Sequence, residues 1–184
     1  VFDDYGHHPR EVRAVLEAMR RLQPARLLVA FQPHRYTRTK HLLPEFAGCF
    51  SEADQLWLAD IYAASEQAIT GISSDVLADA IRARGQNVDR VANLLHLSGY
   101  VRAAMKPGDL VLFLGAGDIT QVAHALAAQL REEAPGRNDE HFRRLGELLS
   151  ADTQLLKDEP LGKRTTLRVG GTADLFVEPG SEAD

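Results

Sequence analysis

Two short motifs hold most of the residues in this chain that can do chemistry. Asp3-Asp4-Tyr5-Gly6-His7-His8-Pro9 opens it, and Phe31-Gln32-Pro33-His34-Arg35-Tyr36-Thr37-Arg38-Thr39 follows about one strand-and-helix unit later. Each crowds acids, imidazoles or guanidiniums onto the end of an apolar, strand-like run, where an open α/β sheet presents its binding loops. Acidic oxygens at a strand end suit Mg2+-linked phosphates or a ribose hydroxyl. A neighbouring imidazole can hold or relay protons near neutral pH. The competing reading of the first motif is an Asx-type turn that caps a helix and leaves two solvated histidines, because Asp before a helix is common. Adjacent histidines cannot both face one metal from a regular strand, so a zinc site is disfavoured and no metal ligand is assigned.

In the second motif, arginines three apart at a helix start lie on one face, and a guanidinium fork matches a carboxylate bidentately. Arginine near the positive end of a helix is electrostatically unfavourable, and an anionic ligand would offset the clash. A solvated basic face is the alternative. A third segment, Gly115-Ala116-Gly117-Asp118, follows the most apolar run of the chain and precedes a helical pattern. Glycines there let a ligand approach the backbone. A dinucleotide fingerprint would need Gly or Ala three residues on, where Thr120 stands. The segment therefore reads better as a pocket wall than as a nicotinamide site. No Gly-x-x-x-x-Gly-Lys-Ser/Thr loop and no Gly-x-Ser-x-Gly elbow occurs in the sequence.

The composition limits the classes of partner. Of 184 residues, 45% are hydrophobic and 26% charged, ordinary for a globular protein. A net charge of -5 argues against a general nucleic-acid surface. Cys49 is the single cysteine, which excludes a disulfide framework and a cysteine-based zinc site and suits a reducing, cytoplasmic setting. No apolar run reaches the ~18 residues of a membrane span, so no membrane association is expected.

The elements that must position these motifs follow from periodicity. Val1 to Asp4 reads as the end of a strand, and Pro9 sits in the first turn of a helix striped by Val12, Val15, Leu16, Met19 and Leu22. Strands are expected over 26–31, 55–59, 88–92 and 110–114, and helices over 41–50, 74–84, 94–105 and 119–132. Ser74 is the expected N-cap and Gly85 the stop of the second of these helices. Strands alternating with helices predict an α/β, doubly wound parallel sheet of about five strands. Right-handed crossovers then bring the loops at 4–8, 32–38, 60–62 and 115–118 to one edge.

Composition changes over 131–140, a charged stretch broken by Pro135-Gly136, which reads as a linker followed by a short helix to about residue 149. The domains expected are 1–134, a linker with a short helix over 135–150, and a truncated segment over 151–184. A second segment begins at Pro160 and ends in a strand-like run from Ala173 to Pro179. Apolar Leu167, Val169, Leu175 and Phe176 would pack on the first domain or on another copy, a route to a homodimer. The absence of an initiator methionine and the ending after a strand lead to the expectation that both ends are cut from a longer polypeptide.

Together the four runs DDYGHHP, FQPHRYTRT, LADIYAASE and GAGDI, in this order, resemble the C-terminal, Rossmann-like domain of the Mur ligase family, specifically its UDP-N-acetylmuramate–L-alanine ligases. The resemblance covers residues 1–134. The tail, with Glu159-Pro160-Leu161 and Thr165 to Asp174, is similar to the start of the UDP-N-acetylenolpyruvoylglucosamine reductases. The resemblance implies an ATP- and Mg2+-dependent ligase that adds L-alanine to UDP-N-acetylmuramate through an acyl phosphate, within a bifunctional ligase–reductase. The reductase part would use FAD and NADPH. By motif position, Asp4 would touch the nucleotide or its metal, and His7 would line the forming amide. His34, Arg35 and Arg38 would hold the alanine carboxylate, with Tyr5, Gly115, Gly117 and Asp118 as further substrate-binding residues. Ser65 and its neighbours depart from the family, the loop reading Tyr-Ala-Ala-Ser-Glu where Tyr-Pro-Ala-Gly-Glu is usual. The remaining ligase domains are implied partners, and the piece alone is expected to be inactive. A non-catalytic nucleotide- or anion-binding module and a nicotinamide-dependent dehydrogenase domain are the rival readings.

Overall fold

The computed structural model describes residues 1–133, 137–148, 153–160 and 172–178. The chain divides into two compact units, residues 1–129 and 130–184.

In the first unit, strands β1 (Phe2–Asp4), β2 (Leu27–Phe31), β3 (Gln55–Ala59), β4 (Asp89–Val91) and β5 (Leu110–Leu114) form one parallel sheet in the order β1-β5-β2-β3-β4. All residues of β2 and β5 are buried. Unbroken apolar runs of this kind are what a parallel strand covered on both faces needs. Helices α1 (Pro9–Arg20), α2 (Tyr36–His41), α3 (Leu43–Ala47), α4 (Ser74–Arg82), α5 (Leu94–Ala104) and α6 (Ile119–Glu133) supply the cover. Val12 and Leu16 of α1, Phe46 of α3, and Leu77 and Ile81 of α4 enter one core with β2 and β3. At its centre, Phe31 lies 5.6 Å from the Phe46 ring and 5.1 Å from the Phe50 ring. The lower edge is tied by side chains. Arg26 donates to Asp109 and to the Ala104 carbonyl, joining the starts of β2 and β5, while Asp54 accepts from Leu27 N and Arg20.

Local chemistry moved several expected boundaries. The single helix expected over 41–50 is two short helices, α2 and α3, divided at Leu42 (φ -113°, ψ 20°). Pro44 stands in the first turn of α3 and has no N–H to continue the α2 ladder. The N-cap of α4 is Ser73, whose hydroxyl accepts from Val76 N at 3.2 Å, and not Ser74, which is buried within the helix. His8, and not Asp4, caps α1. Its Nδ1 accepts from Arg10 N, and Glu11 accepts from His7 N and His8 N.

In the second unit, α7 (Arg137–Leu148) is followed by an antiparallel pair, β6 (Gln154–Pro160) and β7 (Thr172–Glu178), with Leu156 opposite Phe176. Lys157 Nζ lies 5.6 Å from the Phe142 ring centroid. The stretch read as a linker over 131–140 is largely helical, since α6 runs to Glu133 and α7 starts at Arg137. Its Arg and Glu residues are good helix formers despite their charge. Strand β6, from Gln154, lies where no strand is expected, ahead of the segment placed from Pro160. Thr165 to Gly171, on which much of the tail's resemblance rests, together with Leu167 and Val169, lie outside the described residues.

Phe31 carries the most testable packing claim. Phe31→Ala should destabilise the first unit by about 3–5 kcal/mol, because the aromatic cluster around it cannot collapse without moving β2. Urea unfolding followed by far-UV circular dichroism measures this. A loss below about 1 kcal/mol would place the core elsewhere.

Candidate functional site at the carboxyl edge of the sheet

Parallel register puts Asp4, Phe31, Ala59 and Leu114 at one end of the sheet, and the loops that leave them meet there. After β2 the chain turns toward β3, whereas α6, after β5, lies against β1 through Thr120 and His124 beside Asp3. The crevice between the ends of β5 and β2 is therefore the place where connections part in opposite directions, the usual ligand position in such sheets.

A row of rings crosses this edge. Tyr5 meets His7 edge-on at 5.2 Å between centroids, His7 lies 5.7 Å from His34, and His34 stacks on Tyr62 at 5.6 Å and 19°. These four residues come from the loops after β1, β2 and β3. Gly117, after β5, completes the contact, for a Cβ there would stand 2.7 Å from Tyr62 Cγ and collide with Gln32 Oε1. Gly115 is equally confined, with φ +150° and the Gln32 carbonyl where its Cβ would be. The two glycines thus make room for Gln32 and Tyr62 of this same chain. The need for glycine at both positions is met by packing within the chain and gives no support of its own to the dehydrogenase reading.

Gln32 was not singled out among the candidates. It is 5% exposed, its Nε2 donates to Asp118 Oδ1 at 2.6 Å, and its Oε1 accepts from Ile119 N at 3.1 Å. Asp118, expected to bind substrate, is the partner of this bridge. A glutamine directly after a fully apolar strand was the available signal.

Asp4 is half-buried, and its Oδ1 accepts from Gly6 N at 2.7 Å, so this oxygen closes an Asx turn as the competing reading expects, although the cap of α1 is His8. Its main-chain carbonyl accepts from Gly115 N. A Cβ at Gly6 would lie 2.8 Å from that carboxylate oxygen, so the Asp4 side chain would have to move from its bond to Gly6 N. Among the described residues, no group of three or more His, Cys, Asp or Glu could hold a metal ion.

The arginines do not share a helix face. Arg35 precedes α2 with φ +73° and ψ 137°, and only Arg38 lies in the first turn. Such a backbone is strained for a side chain bearing a Cβ, by about 1–3 kcal/mol, and persists only where neighbours fix it. Arg35 N donates to Tyr62 O at 2.8 Å, and its carbonyl accepts from Thr39 N and Thr39 Oγ1. The Arg35 side chain is exposed. Arg38 is half-buried, and its Nη1 reaches His34 Nδ1 at 3.1 Å. The charge that offsets these cations at the helix start also belongs to the chain. Glu66, from the loop after β3, accepts from Thr37 Oγ1 at 2.6 Å and Thr37 N at 3.0 Å. These bonds hold its carboxyl below the ordinary glutamate value. An outside anion is therefore not required to explain arginines at this position.

A family model for the Mur ligase, glutamate ligase domain, matches residues 1–117. This chain belongs to the Mur ligase family. Curated relatives include the UDP-N-acetylmuramate–L-alanine ligases of Trichlorobacter lovleyi, 53% identical over 132 residues, and of Chelativorans, 48% identical over 131. Each alignment covers 71% of this chain and under a third (29% and 28%) of the relative, so the chain spans only that share of the proteins it matches. In fold it is like the solved UDP-N-acetylmuramate–alanine ligase of Thermotoga maritima, with a TM-score of 0.57 at 24% identity over 71% of this chain and 26% of that one. A murein peptide ligase from Psychrobacter arcticus gives 0.52 at 16% identity, over 68% and 26%. The Mur ligase chain is thus α/β with a five-stranded parallel sheet, as its pattern predicts.

His34 gives the site a pH signature. Burial, then Arg38, His7 and Arg35, push its pKa below the ordinary histidine value, against a smaller pull from Glu66. The unfolded chain takes up this proton near pH 6.5, the folded one only at lower pH. Stability falls as pH drops through about 6.5 and levels off below the folded pKa. Urea unfolding between about pH 7.5 and 5.5 should show a shallower loss for His34→Gln than for the unsubstituted chain. Equal slopes would contradict this reading of the imidazole.

Proposed function

We propose that this chain is the amino-acid-holding part of an ATP-dependent UDP-N-acetylmuramate–L-alanine ligase of peptidoglycan synthesis. The observation that carries the proposal is the meeting of His7, His34, Arg35 and Arg38 at one strand edge. The 53% identity to a curated ligase of that name supports it. In the assembled ligase, ATP and Mg2+ supply an activated muramate acyl group. This chain has no phosphate-cradling loop, and its described residues offer no metal cluster. Those ligands belong to the remaining ligase domains, and the piece alone is inactive.

The roles of this chain's residues follow from their surroundings. The exposed Arg35 guanidinium, on a backbone fixed by Tyr62 and Thr39, offers a fork for the alanine carboxylate. Arg38 adds positive field while one of its nitrogens is committed to His34. His7 and His34 line the position where the amide forms, with Tyr5 at the open end of the ring row. Asp4 bonds the Gly6 amide through Oδ1, and by its position in the motif it is the residue read as touching the nucleotide or its metal. Gly115, Gly117 and Asp118 shape the wall through Gln32. A cytoplasmic setting fits substrates of this kind. The tail as the opening of an FAD- and NADPH-dependent reductase rests on its resemblance, and the antiparallel β6–β7 pair is compatible with it.

The experiment is steady-state kinetics of the full-length ligase. An arginine–carboxylate hydrogen bond contributes roughly 1.5–3 kcal/mol, so Arg35→Ala should raise the alanine KM about ten- to hundred-fold with kcat little changed. Arg35→Lys restores charge without the fork and should recover part of that loss. Unchanged alanine KM in Arg35→Ala would remove the carboxylate clamp. Asp4→Asn keeps the turn acceptor for Gly6 N but loses the charge, and should impair use of ATP more than use of alanine. Tight binding of NADH to the chain would overturn the ligase assignment altogether.

A further inference from the structure

We propose that His7 and His34 are held as opposite tautomers, one a bare proton acceptor and the other a proton-bearing donor, and that Arg38 is the positioning residue that fixes the second. The inference rests on the ligase reading for its chemistry, but not for its geometry. A guanidinium remains protonated and can only donate hydrogen bonds. With Arg38 Nη1 at 3.1 Å, His34 Nδ1 must be unprotonated, so the proton of the neutral ring sits on Nε2. Protonating Nδ1 would set two donors against each other. The groups facing His34 all bear on this. Arg35 and Arg38 come from the α2 start, His7 from the loop after β1, and Tyr62 and Glu66 from the loop after β3. The single carboxylate is already bonded to Thr37.

His7 has the reverse arrangement. Its Nδ1 lies 3.1 Å from the Tyr5 carbonyl oxygen, which can only accept. Nδ1 therefore carries the proton, and Nε2 is left with its lone pair. The free side chain favours the other tautomer, so this state depends on the Tyr5 contact. Glu11 Oε2 stands 4.0 Å from the same Nδ1. Bonds from His7 N and His8 N keep the Glu11 carboxyl below its ordinary value, so it is ionised at neutral pH and offsets a positive charge on His7. Tyr5, His8 and His34 are the other groups around this ring.

Two rings 5.7 Å apart with complementary protonation suit aminolysis of an activated carboxyl group. The amino acid arrives as an ammonium ion. One N–H bond breaks as its proton passes to His7 Nε2, which becomes imidazolium, and the freed nitrogen lone pair attacks the acyl carbon. His34 Nε2–H donates a hydrogen bond to the acyl oxygen as that oxygen becomes anionic, and keeps its proton. The C–O bond to phosphate breaks with its electron pair as the carbonyl re-forms. The second proton of the attacking nitrogen passes to the departing phosphate to leave the neutral amide, and the proton on His7 is released to solvent.

The tautomers can be read in the full chain, labelled with 15N, by long-range 1H–15N correlation of the ring nitrogens. Near neutral pH, His34 should show a protonated Nε2 and His7 a protonated Nδ1. Arg38→Met should give His34 a mixed tautomer and a titration midpoint nearer the ordinary value, with His7 unmoved. Should Arg38→Met not fold, Arg38→Gln keeps a donor without the charge. It should preserve the His34 tautomer while raising its midpoint. Both rings in one tautomer, an unchanged His34 tautomer in Arg38→Met, or an unchanged His34 midpoint in either variant, would overturn the proposal. In the full-length ligase, His7→Gln should lower kcat about a hundred-fold or more with the alanine KM within a few-fold. Unchanged kcat would remove the proton-acceptor role while leaving the ligase reading intact. That reading fails separately, if alanine is not a substrate.

Discussion

The carboxyl edge depends on one buried amide. Gln32 leaves β2 with its main-chain N–H bonded to Leu114 O, and its side chain then spans the crevice to Asp118 and Ile119 N. An amide this deeply buried is tolerable only when both ends are satisfied, since a stranded donor or acceptor costs about 1–3 kcal/mol. The bridge therefore ties the loop after β5 to the loop after β2 more firmly than sheet register alone. Everything else at the edge uses that fixed frame. Gly117 must lack a side chain because Gln32 and Tyr62 occupy the space, and Tyr62 in turn stacks on His34.

A second constraint is the backbone at Arg35. Its positive φ turns the chain from the β2 loop into α2, and the loop after β3 holds it there. The same loop delivers Glu66 to Thr37 and has two further positive-φ residues, Ala64 and Ser65. Where the family pattern has Pro and Gly, this chain has Ala63 and Ser65. The strain that glycine would avoid at Ser65 is instead borne by the surrounding bonds, including Glu66 N to Ala63 O. Such localised strain is a mark of a site whose geometry is over-determined by its neighbours.

Much of this frame is legible in the sequence, and for stated reasons. The five strands of the first unit appear because buried parallel strands must be continuously apolar, as Leu27–Phe31 and Leu110–Leu114 are. Gathering the chemical motifs at one edge follows from handed crossovers and needs no contact information. What was not legible depended on partners distant in sequence. The start of α2 is set by Glu66, twenty-nine residues from Thr37, and propensity placed that helix five residues late. Strand β6, Gln-Leu-Leu-Lys-Asp-Glu-Pro, has little β-branched character and exists through its pairing with β7. Gln32 stands out as a polar residue directly after a fully apolar strand, but nothing local names Asp118, 86 residues on, as its partner.

The electrostatics of the edge then follow from which groups are already engaged. Glu66 is bonded to Thr37, Asp118 to Gln32, and Asp4 Oδ1 to Gly6, so each of these carboxylates has an intramolecular donor. Arg38 is only partly committed, and the Arg35 guanidinium reaches solvent. The whole chain carries a net charge of -5, so an exposed guanidinium here offers a small anion one local partner without making the surface generally adhesive. Burial first, and then the neighbouring cations, keep His34 from protonating although a carboxylate stands nearby. The carboxylate is engaged by another donor, whereas Arg38 acts on the imidazole directly. A neutral imidazole between two arginines adds a directional donor to the crevice and no further charge. This lets the edge attract a carboxylate and still distinguish it from an acyl oxygen by geometry.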